Sequence, residues 1–204
     1  MKIYHFFLIL FLPFVMTAQD SDTQPIYPGL GDFEISVFGA SNFSFLSENG
    51  FTEADDSEAH SGAGISFQAE YYFSPHWSMK GRINLESKGS EFADDIRLDL
   101  YYLTVPAMAS WHFGKKKRWY LHFGPYWGYL LGATLDDETV TDDFDRMDAG
   151  TDFGFGVRIP AGPKRKNWFV IESDSQSSFT SPFKGSADTD LTLIRSTIGV
   201  GFIF

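Results

Sequence analysis

Ser110 and His112 form the pair in this sequence whose residue types come closest to those of a catalytic site. One residue separates them, so in a β-strand both side chains lie on the same face. A histidine base beside a serine hydroxyl can carry out acyl transfer. However, a hairpin with Lys116 at its apex places Ser110 opposite His122 and His112 opposite Tyr120. Such cross-strand neighbours favour an inward hydrogen-bonded cluster, and we therefore predict no catalytic residue.

Clustered carboxylates could bind a cation. Residues 45–61 and 135–148 carry net charges of −5 and −6, and Ca²⁺ takes several oxygen ligands. The run from Asp143 to Asp148 lacks the glycine and the terminal glutamate of an EF-hand loop, and the sequence has no phosphate-binding glycine loop or HExxH motif. Because acidic runs usually lie in solvated loops, we predict no metal site and no cofactor.

The composition narrows the class of protein. The chain has 204 residues, which is the size of one domain, with 43% hydrophobic and 18% aromatic residues, a formal net charge of −11 and no cysteine. The absence of cysteine excludes a disulfide scaffold, thiolate metal sites and a cysteine nucleophile. The acidic balance disfavours nucleic acid as a partner, because no surplus of Lys and Arg is available to neutralise phosphates.

The N-terminal residues resemble a targeting segment. Lys2 precedes an apolar run at residues 6–16, and small or polar residues follow at 17–19. This order is typical of a secretory signal peptide. A membrane anchor is disfavoured because the run is shorter than the roughly 20 residues that a spanning helix needs and contains Pro13. We predict a cleaved signal peptide at 1–19, a periplasmic segment at 20–32 and one domain at 33–204.

Beyond residue 19, apolar residues recur with a period of two, which indicates β-strands. The predicted strands lie at residues 33–37, 65–71, 77–85, 98–113, 118–135, 149–160, 167–175 and 190–204. In the third strand, Trp77, Met79 and Ile83 alternate with Lys80 and Arg82. A soluble sandwich with its polar face in water is one interpretation. The other is a membrane barrel, in which lipid contacts the apolar face and the polar face lines the lumen.

Three features favour the barrel. Predicted long connections (46–61, 86–95, 136–148 and 175–189) alternate with short ones (74–76, 114–117 and 161–166). The acidic residues lie in the long connections, whereas the short ones at 114–118 and 163–167 are basic. Aromatic residues near strand ends could form interfacial girdles: Tyr101, Trp111, Trp119, Tyr126, Trp127, Tyr129 and Trp168. We predict an all-β, up-and-down antiparallel transmembrane β-barrel of about eight strands, with both termini in the periplasm and acidic loops outside.

Several segments carry a family resemblance. Residues 100–106 and 119–132 resemble the central hairpin of the PorT-like outer-membrane β-barrel family, one of the small OmpX/OmpA-like barrels, and residues 144–156 are similar to its next strand. The C-terminus, ending in Phe204, resembles the assembly signal that the barrel assembly machinery reads. The resemblance implies that machinery as a partner, location in the outer membrane of a Gram-negative bacterium, and an accessory role in protein secretion as one candidate function.

The interior of an eight-stranded barrel is just wide enough to be filled by side chains, which argues against an aqueous channel. The alternation predicts eight charged side chains in the lumen: Glu34, Glu70, Lys80, Arg82, Asp152, Arg158, Glu172 and Arg195. Four acids balance four bases, and unpaired buried charges are costly. We therefore expect a structural ion-pair network, with a proton or solute relay as the alternative.

The sequence thus favours a non-enzymatic barrel with a structural or surface-binding role. Its expected partners are outer-membrane lipid and lipopolysaccharide, and the extracellular ligand is unknown. A lipid-A-modifying acyl enzyme is the further alternative, because some small outer-membrane barrels have this activity. It is disfavoured because Ser110 and His112 lie at the predicted periplasmic end, whereas lipid A occupies the outer leaflet.

Overall fold

A computed structural model describes residues 28–47, 57–92, 96–161, 167–185 and 191–204. The predicted signal peptide, most of the segment 20–32 and the basic connection at 162–166 lie outside the described residues. No helix in the described part of the chain is long and apolar enough to cross a membrane.

Eight long strands form the fold. They are β1 (Phe33–Ser47), β2 (His60–Tyr72), β3 (Trp77–Phe92), β4 (Arg97–Phe113), β5 (Trp119–Leu135), β6 (Met147–Ala161), β7 (Asn167–Ser178) and β8 (Thr192–Ile203). Each strand pairs antiparallel with the next, and β8 pairs with β1, so the sheet closes on itself. Two-residue strands at Ser57–Glu58 and Glu138–Thr139 pair with β3 and β5. The predicted up-and-down antiparallel barrel is confirmed.

The alternation that predicts the strands also decides which side chains face outward. Phe67, Met79 and Phe123 are 60%, 63% and 54% exposed, whereas Gln68 and Lys80 beside them are buried. Large apolar side chains therefore cover the outside of the wall, and polar side chains fill the inside. A closed sheet with this polarity matches a barrel whose outer face contacts lipid.

The two ends of the barrel differ. At one end, called here the turn end, lie the start of β1, the end of β8 and the short connections 73–76 and 114–118. At the other, called here the loop end, lie the connections from β1 to β2, β3 to β4, β5 to β6 and β7 to β8. The 11-residue β5–β6 connection includes a short 3₁₀ turn at Thr141–Asp143.

The predicted long connection at 86–95 is wrong, because β3 continues to Phe92 and β4 begins at Arg97. Pairing between β2 and β3 stops at Gly64 and Glu86. Beyond that point β3 contacts β1 directly: the Ser44 hydroxyl donates to the Gly89 carbonyl (3.1 Å) and accepts from the Gly89 amide (2.7 Å). Since this part of the hairpin packs against polar side chains, its sequence lacks the apolar alternation that marks the membrane-facing strands.

An apolar cluster, called here the loop-end plug, fills the barrel interior near the loops. Its buried members are Leu46, Leu98, Leu100, Tyr102, Leu130, Ala133, Phe144 and Leu193. Phe144 comes from the β5–β6 connection and its ring lies 5.1 Å from that of Phe183 in the β7–β8 connection. Because both phenylalanines lie on loops, these connections fold back over the barrel end rather than extend away from it.

The alternation of β5 changes phase near its loop end. Strict alternation continued from Trp119 along β5 predicts Ala133 on the outer wall, yet Ala133 is buried in the plug. The cause is a register shift between Tyr101 and Tyr102 of β4, which leaves Leu131 as an extra residue in β5. An extra residue reverses the alternation beyond it.

The predicted girdle also changes. Tyr126 and Trp168 are buried, so both leave the outer wall for the interior. Both follow the inward alternation of their own strands. Tyr126 shares the inner face of β5 with Leu130, and Trp168 shares the inner face of β7 with Val170. The other predicted girdle residues, Tyr101, Trp111, Trp119, Trp127 and Tyr129, are exposed.

Candidate functional site

All eight charged side chains predicted for the lumen point into the barrel. Seven of these residues are buried, and the Glu34 side chain, near the turn end, is 13% exposed. Their positions follow from the pairing: Glu34 lies opposite Glu70, and Glu70 lies opposite Lys80 on the next strand. The structure brings all eight into ion pairs that cross the lumen.

Arg158 organises the turn end of this network. Its Nη1 donates to Glu34 Oε2 and its Nη2 donates to Glu70 Oε2, both at 2.7 Å. The Tyr72 hydroxyl donates to the same Glu34 oxygen at 2.8 Å. One guanidinium thereby joins β6 to β1 and β2, since its planar donors can satisfy two carboxylates.

Glu172 is the centre of the network. It accepts hydrogen bonds from Arg82, from the Tyr120 hydroxyl at 2.5 Å and from Lys80 Nζ at 3.4 Å. Lys80 Nζ also lies 4.1 Å from the centre of the Tyr120 ring, a favourable cation–π position. The carboxylate is therefore stabilised by two cations and a neutral donor.

Arg195 continues the network towards the loop end, donating to Glu86 and to Asp174. Arg82 Nη1 also reaches Asp174, at 3.4 Å. Asp174 thus bridges two arginines, which connects the central part of the network to the part below the plug.

Four further buried charges lie in the lumen that the sequence did not predict there: Glu86, Lys88, Asp148 and Asp174. Glu86 and Lys88 continue the inward alternation of β3 past the predicted end of that strand. Asp174 shares the inward face of β7 with Glu172, so the same alternation could have identified it. Asp148 was assigned to a loop because it follows an acidic run, but it is the second residue of β6.

With these additions, the described lumen residues include seven carboxylates and five Lys or Arg side chains. Neutral donors serve the carboxylates that the cations leave incompletely satisfied. Asp148, for example, accepts from the hydroxyls of Tyr126 (3.0 Å) and Ser178 (2.5 Å), and Asp152 accepts from Gln176 (2.9 Å). Buried charges need such partners, because an unsatisfied ion in a low-dielectric interior is strongly unfavourable.

One group in the described residues has the ligand types of a metal site: His122, Glu172 and Asp174. However, Lys80 Nζ lies 3.4 Å from both His122 Nδ1 and Glu172 Oε2. The lysine ammonium is thus a cation already placed between two of the three ligands, while Arg82 and Arg195 pair with Asp174. A divalent ion here would be repelled by three resident cations.

The serine and histidine pair has the predicted register, with Ser110 opposite His122 and His112 opposite Tyr120. The Ser110 hydroxyl makes no hydrogen bond within the described residues. Instead, His112 Nε2 contacts Ser78 Oγ (3.0 Å) and Glu70 Oε1 (2.9 Å).

That cluster lacks the geometry of a catalytic triad. A triad needs the serine and the carboxylate on opposite nitrogens of the imidazole, whereas here both partners share Nε2. The Ser78 hydroxyl also donates directly to Glu70, at 2.5 Å. The arrangement therefore links β2, β3 and β4 through their side chains.

A family model described as "Outer membrane protein beta-barrel domain" matches residues 17–184. The chain belongs to this family. This membership supports location in the outer membrane, and the finer resemblance to PorT-like members stays a prediction. No curated protein sequence matches the chain.

Solved structures of outer-membrane proteins are similar to this chain at low sequence identity. Neisserial surface protein A is 10% identical with a TM-score of 0.51, covering 82% of this chain and 95% of its own. Ail, the attachment invasion locus protein of Yersinia pestis, is 19% identical with a TM-score of 0.49, covering 86% and 99%. OprG from Pseudomonas aeruginosa is 13% identical with a TM-score of 0.48, covering 86% and 98%. Identities this low describe the fold and not the ligand.

Proposed function

We propose that this chain is a non-enzymatic, surface-binding barrel of the outer membrane of a Gram-negative bacterium. In this proposal the lumen is closed, the loop end faces the outside, and binding takes place on the loops. The observation that carries the proposal is the filled interior: an ion-pair network in the barrel and an apolar plug at the loop end.

The filling of the lumen argues against a channel. The cations and carboxylates of the network are paired with each other and not arranged around an open path. Above them, Leu100 and Leu130 have no exposed surface. Water-filled pores need larger barrels, because eight strands leave an interior that side chains can fill.

Within the described residues, the serine and histidine side chains of the lumen form no activated nucleophile, which supports a non-enzymatic role. Ser78, Ser110 and His112 are buried, and an acyl chain held in a membrane leaflet would have to enter the barrel to reach them. The His112 ring is also held by Glu70 at the nitrogen that would have to accept a serine proton.

The loop end supplies a charged surface for binding. Its exposed acidic side chains in the described β5–β6 connection are Asp136, Asp137, Glu138, Asp142, Asp143 and Asp145. Two nearby cations contact only one of these acidic residues. Lys184 Nζ donates to the Asp142 carbonyl at 2.6 Å, and Arg146 pairs with the Asp142 carboxylate at 3.8 Å. A surface of one sign attracts partners of the opposite sign, so the expected partner presents a cationic surface.

A binding measurement tests this role. The full protein in phosphatidylcholine nanodiscs is presented to polylysine and to heparin. We expect polylysine to bind and the binding to weaken with salt, and we expect no binding of heparin. The triple substitution Asp142→Asn, Asp143→Asn and Asp145→Asn should weaken polylysine binding severalfold.

Asp32→Asn removes one exposed carboxylate at the turn end and is the matched control, for which we expect little change. Equal binding of heparin, or polylysine binding that the triple substitution leaves unchanged, would contradict a role for the acidic loops.

An accessory role in protein secretion is the second candidate, and the resemblance of residues 119–132 to the PorT-like family supports it. Deletion of the gene followed by a profile of secreted proteins tests this role. Loss of specific secreted proteins would favour it, and an unchanged profile would leave the surface-binding role as the better account.

A further inference from the structure

The connection between β4 and β5 concentrates positive charge at the turn end. Residues 115–118 are Lys, Lys, Lys and Arg in succession. Lys115 is exposed, and the other three are partly exposed. The charges lie in a tight turn: the Lys117 amide donates to the Gly114 carbonyl at 3.0 Å.

The backbone of this turn is strained at a charged residue. Gly114 has a φ of +83° and Lys117 a φ of +43°. The left-handed region suits glycine or asparagine better than a residue with a long side chain. Lys117 is therefore held in a left-handed conformation at the end of this turn.

Three tryptophans lie directly beside this turn on the outer wall. Trp77 on β3 pairs with Trp111 on β4, and Phe113 on β4 pairs with Trp119 on β5. The Trp111 and Phe113 rings stack, with centroids 5.0 Å apart. The three tryptophans are 38%, 41% and 47% exposed. Tryptophan favours the boundary between headgroups and acyl chains, because its ring is apolar and its N–H is polar.

The charge and the aromatic surface therefore meet at one height on three neighbouring strands. Lysines at the end of a membrane-spanning element extend into the headgroup layer, where anionic lipids attract them. The tryptophans below them provide a surface for the upper part of an acyl chain.

We infer that residues 115–118, together with Trp77, Trp111 and Trp119, form a binding site for an anionic phospholipid. Lys115 and Lys117 contact the headgroup phosphate, and the acyl chains lie against the tryptophans. The site is on the leaflet at the turn end, opposite the acidic loops. It is independent of the proposed loop-end binding and of the identity of any extracellular partner.

The shared chemistry of the site is phosphate, which could also come from a soluble phosphate ester. The two sources differ in the contact with the outer wall, because a soluble ester has no acyl chain to cover the tryptophans. A test therefore compares an anionic lipid, a zwitterionic lipid with the same chains and a soluble headgroup analogue.

Native mass spectrometry of the full protein released from detergent micelles provides this comparison. The probes are phosphatidylglycerol, phosphatidylcholine of identical chains and glycerol 3-phosphate. We expect phosphatidylglycerol adducts to be retained severalfold more than phosphatidylcholine adducts, and no adduct with glycerol 3-phosphate. The double substitution Lys115→Gln and Lys117→Gln should lower phosphatidylglycerol retention to the phosphatidylcholine level.

Two control variants test whether retention depends on the positive charge and on its position at the turn end. The double substitution Lys115→Arg and Lys117→Arg keeps the charge and should keep the retention, and Lys184→Gln removes a cation at the loop end and should have no effect. Equal retention of the two lipids, an unchanged glutamine variant or an adduct with glycerol 3-phosphate would each overturn the proposal.

A second readout does not depend on variants. Phosphatidylglycerol with brominated chains should quench tryptophan fluorescence of the protein more strongly than brominated phosphatidylcholine at the same low molar ratio. Equal quenching by the two lipids would show that the tryptophans select no headgroup, and would also overturn the proposal.

Discussion

Arg158 and Glu70 are 88 positions apart in the chain, yet Nη2 of the arginine lies 2.7 Å from Oε2 of the glutamate inside the barrel. The pair connects β6 with β2, two strands that share no backbone hydrogen bonds. The same arginine also pairs with Glu34 on β1. In a barrel whose apolar side chains face outward, pairs of this kind replace much of the apolar core of a soluble domain.

Arg158→Met tests the contribution of this pair to stability. The substitution keeps an apolar stem but leaves Glu34 and Glu70 without their shared cation. Removal of one partner of a buried ion pair costs about 3–5 kcal/mol, so we expect a loss of this size in the free energy of unfolding. Urea unfolding of the protein in lipid vesicles, followed by the shift in gel mobility, measures it.

Arg146→Met is the matched control. Arg146 pairs with the exposed Asp142 at 3.8 Å, and its Nη1 donates to the Leu130 carbonyl at 3.3 Å. An exposed ion pair contributes about 0–1 kcal/mol and a hydrogen bond about 0.5–1.5 kcal/mol, so we expect a smaller loss than for Arg158→Met. A loss for Arg158→Met no larger than that for Arg146→Met would contradict a stabilising role for the interior network.

Gly156→Ala tests the packing of the lumen at the turn end. A Cβ added at Gly156 would lie within 3 Å of three atoms of the Tyr120 side chain, and that hydroxyl is fixed by its bond to Glu172. Overpacking of this kind costs about 1–3 kcal/mol. Gly81→Ala is the control, because a Cβ at Gly81 meets no atom within 4 Å and alanine suits a strand better than glycine.

The same unfolding measurement applies to both alanine variants. We expect a lower unfolding midpoint for Gly156→Ala and an unchanged or higher one for Gly81→Ala. If both variants unfold like the wild-type protein, the Tyr120 ring does not pack against Gly156 as it does in the structure.

A lipid A acylation and deacylation assay tests the non-enzymatic role. Since Ser78 and Glu70 share one nitrogen of His112, we expect no product from the purified protein. Activity that disappears in Ser110→Ala or Ser78→Ala would contradict this expectation and restore the acyl-enzyme alternative. A Ser175→Ala variant, altered at an exposed serine of β7, controls for effects of serine substitution in general.

The alternation of apolar and polar residues was sufficient to predict the barrel and the inward direction of the charged side chains. Glu172 and Arg195 lie on different strands, and period two alone placed both in the lumen. The hairpin turn also fixed the β4–β5 register, including Ser110 opposite His122. These features are local, because each depends on the phase of one strand or on one short turn.

The features of the fold that the sequence did not predict depend on contacts between strands and loops. The extra residue at Leu131 moves Ala133 inward, and nothing in the local pattern marks it. The contact of Ser44 with Gly89 lets β3 continue past Glu86 without apolar alternation. Phe144 belongs to an acidic connection, yet it packs into the loop-end plug. Which of the twelve interior charges form ion pairs with each other also depends on the three-dimensional arrangement of all eight strands.

The closed lumen is the central claim, and conductance across a planar lipid bilayer tests it most directly. With the wild-type protein inserted, and insertion confirmed by recovery of heat-modifiable protein from the membrane, we predict no stable conductance steps in either voltage direction. Reproducible steps that scale with the number of inserted proteins would contradict the account, because they would require an open aqueous path through the ion-pair network and the loop-end plug.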